Sequence, residues 1–114
     1  MTTRKNVPEL IPLLPLAAAA ECLKVMAHPV RLRIVDILMQ GEYPVHEIAE
    51  MCGLPPHQTS EHLRLMKGHG FLDAVRNSRI VYYRIANPRL PRLLDCLRAT
   101  CSAGETKPER KRKS

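Results

Sequence analysis

The stretch PVHEIAEMCGLPPHQTSEHLRLMKGHGFLDAVRNSRIVYYRI, residues 44–85, decides the fold. Its first part reads as a short helix, because Val45, Ile48, Ala49 and Cys52 recur at i, i+3, i+4 and i+7. Gly53 stops that helix. Leu54 and Pro55 form a turn, and Pro56 opens a second helix running to about Lys67. Proline is tolerated at a first helical position, where its missing N–H has no partner to lose. Two short helices joined by a Gly-containing turn make a helix-turn-helix. Gly68 and Gly70 end the second helix, and Phe71 to Arg76 and Ile80 to Ile85 then prefer strand, the latter dense in Val, Ile and Tyr. Asn77 and Ser78 suit the tip of a tight hairpin. A helix-turn-helix followed at once by a hairpin carrying Arg76, Arg79 and Arg84 is a winged helix.

Upstream, Pro29 starts a helix whose Val30, Ile34, Ile37 and Leu38 share a buried face, with Gly41 beyond its end. Before it, Leu16 to Ala27 is Ala-rich and predicts another helix, and residues 1–15 read as a flexible arm. Downstream, Pro88 and Pro91 open a last helix to about Cys101, with Leu90, Leu93, Leu94, Leu97 and Cys101 on one apolar stripe. Residues 102–114 read as a disordered basic tail carrying ERKRK. The predicted class is mainly α with a small β-hairpin: about five helices and a two-stranded wing, one domain over residues 16–101. A stripe of apolar residues on a helix at the end of so small a chain needs a cover, and a second copy supplies one.

Charge narrows the partners. The 114-residue chain carries a net charge of +7. Residues 1–70 hold equal numbers of acidic and basic side chains, so the excess lies wholly in residues 71–114. A basic half beside a neutral half points to a polyanion, nucleic acid before an anionic membrane. With one Phe, three Tyr and no Trp, there are too few rings for single-strand stacking platforms. Arg4 and Lys5 followed by the apolar run Leu10 to Ala20 imitate a signal peptide, but Pro8, Pro12, Pro15 and Glu9 interrupt it. The run is also too short to span a bilayer, so no membrane role is expected. Cys22, Cys52, Cys96 and Cys101 follow no zinc spacing and suit reduced thiols in a cytoplasm. No nucleophile elbow, phosphate loop or HExxH string is present, and an enzyme is not expected.

On the second helix of the motif, Thr59, Leu63 and Met66 are predicted to face the core. That leaves His57, Gln58, Ser60, Glu61 and Arg64 outward, where a recognition helix meets base edges in the major groove. Gln58 can pair bidentately with adenine, and Ser60 can meet a base or a phosphate. Glu61 repels phosphate unless it accepts from a cytosine amino group. His62 can equally be a partly buried support. Arg76 and Arg79 flank the wing tip, beside phosphates or in the adjacent minor groove.

Four strings, LKVMAHPVRLRIVDIL at 23–38, EIAEMCGL at 47–54, SEHLRLMKGHGFL at 60–72 and RNSRIVYYRI at 76–85, resemble the ArsR/SmtB family of winged-helix repressors. The resemblance implies a homodimer paired through its first and last helices. It also implies a repressor on a near-palindromic double-stranded operator, released by a metal, metalloid or thiol-modifying signal. Three departures stand out. Pro44, Val45 and His46 occupy the place of the family's Cys-Val-Cys string. The last helix has Asp95 but no His for the family's other metal site. Pro55 replaces a helix-capping Ser, so the start of that helix lacks an acceptor.

The thiols leave alternatives open. Cys96 and Cys101 are five apart and point about 140° apart on an ideal helix, a poor chelating pair. In the family's pairing, Cys22 can supply a third thiol across the dimer. Three thiolates suit As(III), Sb(III) or a soft divalent metal. The same thiols can form a disulfide under oxidants or reactive sulfur species, or serve as small apolar side chains in an effector-independent repressor. Cys52 reads as core. A winged-helix protein-interaction module is the rival outside DNA binding.

Overall fold

The computed structural model describes residues 7–105, with side chains through Cys101. Five helices and a small sheet follow in order: α1 (Leu13–Met26), α2 (Pro29–Leu38), β1 (Tyr43–Pro44), α3 (Val45–Cys52), α4 (Pro56–Gly68), β2 (Leu72–Asn77), β3 (Ile80–Ile85) and α5 (Arg89–Glu105).

Local chemistry explains the boundaries. Pro29 sits in the first turn of α2, and the ring Nδ1 of His28 accepts the Val30 N–H at 3.1 Å, so a histidine caps this helix. α3 ends at Gly53 in the left-handed conformation, φ 70°. There Leu54 N–H donates to the Ala49 carbonyl and Gly53 N–H to that of Glu50, the paired closure of a Schellman motif. α4 closes the same way: Phe71 N–H donates to Met66, Gly70 N–H donates to Lys67, and Gly70 has φ 79°. Asn87 Oδ1 accepts the Arg89 N–H at 2.9 Å and satisfies a free donor where α5 begins.

The core is one cluster. Ile34, Val35, Ile37 and Leu38 of α2 meet Ile48 of α3, Leu63 and Met66 of α4, Phe71 and Leu72 at the wing base, and Leu90 and Leu94 of α5. Met26 is the only buried residue of α1. That helix makes a 94° angle with α2, and Leu13, Leu14 and Leu23 stand 82%, 83% and 53% exposed. Among the described residues no single helix is long and apolar enough to cross a membrane; α1 and α2 pass on composition only as a bent pair, and the apolar face of α2 is buried in the core.

Three expectations are corrected. The sheet has three strands, not two, in the order β1-β3-β2, because Tyr43 and Pro44 pair antiparallel with Tyr83 and Tyr82. Pro44 has no N–H to give, and a two-residue edge strand tolerates that. α1 begins at Leu13, three residues inside the stretch read as an arm, since Pro12 provides the break and leucine and alanine extend the helix. α5 runs on to Glu105, past the expected end at Cys101. Within one protomer the apolar stripe of α5 is covered only in part: Leu90 and Leu94 are buried, Leu93 and Leu97 are half-buried, and Cys101 is exposed, because the helix outruns the core. Residues 1–6 of the arm and 106–114 of the tail lie outside the described residues.

Two leucines two positions apart on α4 test this packing. Leu63 is fully buried and Leu65 is 38% exposed. Leu63→Ala is expected to lower unfolding free energy by about 2–5 kcal/mol, and Leu65→Ala by roughly 0.5 kcal/mol or less, in urea titrations followed by circular dichroism.

Candidate nucleic-acid interface

α3, the Gly53 corner and α4 form the helix-turn-helix, and the antiparallel hairpin β2–β3 projects beside it. α4 is held by its inner face. Thr59, Leu63 and Met66 are fully buried, as their spacing predicts. Thr59 satisfies its hydroxyl by donating to the Pro55 carbonyl at 3.2 Å, the same oxygen that accepts the Thr59 N–H at 3.1 Å. Pro55 caps nothing with its side chain, as its chemistry requires.

The outer face carries the predicted contact residues. His57, Gln58, Glu61 and Arg64 are exposed, and Ser60 is half-buried at the edge. His62 is placed differently. Its ring lies half-buried, edge-on to His28 with centroids 4.7 Å apart, and its Nδ1 accepts from Arg31 Nε at 3.2 Å. Burial first, then the neighbouring His28 and Arg31, push its pKa below the ordinary histidine range, against a smaller opposing effect of Glu61. His62 is therefore a neutral support at pH 7 rather than a surface contact.

Wing register runs from Leu72↔Ile85 to Asn77↔Ile80. The two-residue tip is thus Ser78 and Arg79, one position beyond the predicted Asn77–Ser78 pair. Ser78 has φ 62°, the sign demanded at the first central position of a type II′ hairpin turn and usually supplied by glycine. Arg76 and Arg79 are exposed, and among the described residues neither they nor Arg64 form an ion pair. Arg84 lies 4.0 Å from Glu42, with both side chains about half exposed, so it steadies the wing base weakly and is partly neutralised. The arrangement offers a duplex a polar helix face for base edges and two unneutralised guanidinium groups for phosphates.

The thiols fall elsewhere. Cys22 on α1 is half-buried beside Leu90 and Leu93 of α5, in a groove of about 510 Å³. Cys96 and Cys101 on α5 are exposed. Cys52, the last residue of α3, is half-buried against α2, and burial raises its thiol pKa despite nearby Arg33. Among the described residues no three His, Cys, Asp or Glu side chains converge to hold a metal ion. At the place of the family's Cys-Val-Cys string, Pro44 is a buried edge-strand residue, and His46 is exposed beside Glu47. One protomer alone therefore does not fit a soft metal or metalloid.

Sequence reading missed two functional features. One is the link from Arg31 to His62, which joins residues 31 apart and leaves no local signal. The other is β1, whose Tyr-Pro pair has strand character only once β3 is beside it.

Comparison with known proteins gives a consistent result. Residues 28–74 match the family model described as bacterial regulatory protein, arsR family. The chain is 37% identical over 90 residues to the HTH-type transcriptional repressor SmtB of Mycobacterium tuberculosis, a match covering 79% of this chain and 65% of that repressor's length. It is 38% identical to the transcriptional repressor PagR of Bacillus anthracis, over 68% of this chain and 79% of PagR. Among solved structures, the antimony-specific transcriptional repressor AntR superposes with a TM-score of 0.79 at 26% identity, over 88% of this chain and 91% of AntR. A homodimeric winged helix-turn-helix DNA-binding domain from Mycobacterium bovis superposes at 0.70 with 29% identity, over 88% of this chain and 93% of that domain.

The wing tip yields a direct test. A β-branched side chain resists positive φ, whereas glycine adopts it freely. Ser78→Val is expected to be less stable than Ser78→Gly by about 1–2 kcal/mol, with Ser78→Gly at or slightly above wild type, read from thermal unfolding.

Proposed function

Because the chain belongs to the arsR family of bacterial regulatory proteins, we propose that it is a homodimeric transcriptional repressor that acts in the cytoplasm on a near-palindromic double-stranded operator. One arrangement supports this above all: α4 is sealed along Thr59, Leu63 and Met66, which turns Gln58, Glu61 and Arg64 outward beside the unpaired wing arginines. α4 enters the major groove with His57, Gln58, Ser60, Glu61 and Arg64 toward the bases. Arg76 and Arg79 hold the flanking backbone. The exposed leucines of α1 and the half-buried Leu93 and Leu97 of α5 supply the pairing surface, and the homodimeric Mycobacterium bovis domain favours that assembly. A dimer then sets two recognition helices about 34 Å apart on one face of the duplex.

Release is proposed to follow a thiol-directed signal at Cys22, Cys96 and Cys101. All three lie on the helices of the pairing surface, and two are exposed. Since the described residues of one protomer gather no metal site, As(III), Sb(III) or a soft divalent metal would need thiolates from both copies. An oxidant or reactive sulfur species needs only pairs. The antimony specificity of AntR lends support to the first route.

Fluorescence anisotropy with duplex DNA tests both levels. Binding is expected to weaken steeply with salt, and Arg76→Ala and Arg79→Ala each to flatten the log–log salt slope by about 1. Gln58→Ala is expected to cost about 1–3 kcal/mol on a selected duplex and little on random DNA. Arsenite or polysulfide is expected to release wild type but not Cys→Ser variants at the three positions. Release that survives all three substitutions would remove the thiol signal and leave an effector-independent repressor. Salt-insensitive or absent duplex binding would favour a protein-interaction module.

A further inference from the structure

Arg31 sits where three elements meet. Its Nη1 donates to the Val25 carbonyl at 2.9 Å, in the last turn of α1, and its Nε donates to His62 Nδ1 at 3.2 Å, midway along α4. Arg31 itself lies in the first turn of α2, beside the His28 cap. α1 otherwise buries only Met26, with Cys22 and Val25 packed partly against the core. The guanidinium thus bonds on one side to the pairing helix and on the other to the base-reading helix.

We propose that Arg31 is a positioning residue that ties the recognition helix to the end of α1, so that duplex affinity depends on an arginine and a histidine that touch no DNA, and a proton on His62 releases the tie. This rests on the DNA-binding reading above. A fork of fixed N–H donors can hold a carbonyl and an imidazole nitrogen at once, which a lysine ammonium on a flexible stem does poorly. The bond to Nδ1 exists only while that nitrogen carries no proton. Protonation turns it into a donor and sets a second cation against the guanidinium. The charged and titratable groups facing His62 are His28 from the α1–α2 junction, Arg31 from α2 and Glu61 from α4 itself. Two of these three oppose protonation, and burial adds to them. The tied state is therefore complete at neutral pH and begins to be lost as pH falls below about 6.5, through the lowered value of His62.

The experiment uses the full chain and a duplex of about 30 base pairs selected by wild type from a random pool. Wild-type affinity is expected to fall a few-fold from about pH 7.5 to 5.5, short of the roughly tenfold that losing Arg31 gives, because the lowered value of His62 leaves part of the ring unprotonated at the lower pH. His62→Gln, whose amide oxygen accepts from Arg31 but takes no proton, is expected to match wild type at pH 7.5 and stay nearly flat. Arg31→Gln is expected to bind roughly tenfold more weakly at pH 7.5 with the salt slope unchanged, since no phosphate contact is lost. An Arg31→Gln variant of wild-type affinity, or a slope flattened by about 1, overturns the proposal. So does a His62→Gln variant that keeps the wild-type pH dependence; if Arg31→Gln does not fold, His62→Gln decides alone. The Arg31 Nε–H resonance of the DNA-free protein separates the two readings. Titration of that signal in wild type but not in His62→Gln, without duplex binding, sustains the tie and removes the repressor; no titration in wild type removes the tie.

Discussion

Burial of one stripe of α4 is the constraint on which the rest depends. Thr59, Leu63 and Met66 lie at positions 4, 8 and 11 of a thirteen-residue helix, and all three are fully buried. At 100° per residue that choice leaves no freedom about which side chains point away. Thr59 adds a polar condition, since its hydroxyl must return to the Pro55 carbonyl to be buried without penalty. The same closed face that stabilises the domain therefore defines its outward vocabulary.

Much of this was readable in advance, because the deciding patterns are local. The α4 face, the α3 corner at Gly53 and the span of β3 follow from periodicity and turn chemistry within a dozen residues. What escaped depends on distant partners. β1 is a strand only through Tyr82 and Tyr83, some forty residues on. His62 faces both ways on a helical wheel, and Arg31 decides which. Cys101 follows the leucine stripe of α5 by spacing, but the core stops short of it. The exposed positions of Gln58, Arg76 and Arg79 match expectation, while their contacts with DNA remain a proposal.

α1 shows what a small domain leaves undone. Its alanines and leucines make a good helix, but propensity does not supply a face to bury. With only Met26 fully buried, the helix carries apolar area that costs stability until something covers it. In the proposed homodimer, assembly and folding are then coupled, and the protomer's stability depends on its concentration. The Asp36–Arg98 ion pair separately joins α2 to α5.

The glycine closures at Gly53 and Gly70 have a further consequence. Gly53 closes α3 just ahead of α4 and Gly70 closes α4 itself, each with backbone hydrogen bonds alone, so neither closure draws on the outward side chains of α4. The exposed residues between them are released from any duty in holding the frame. Under the base contacts proposed for α4, a lineage can rewrite the address by exchanging a handful of surface side chains, while the scaffold that carries it stays untouched.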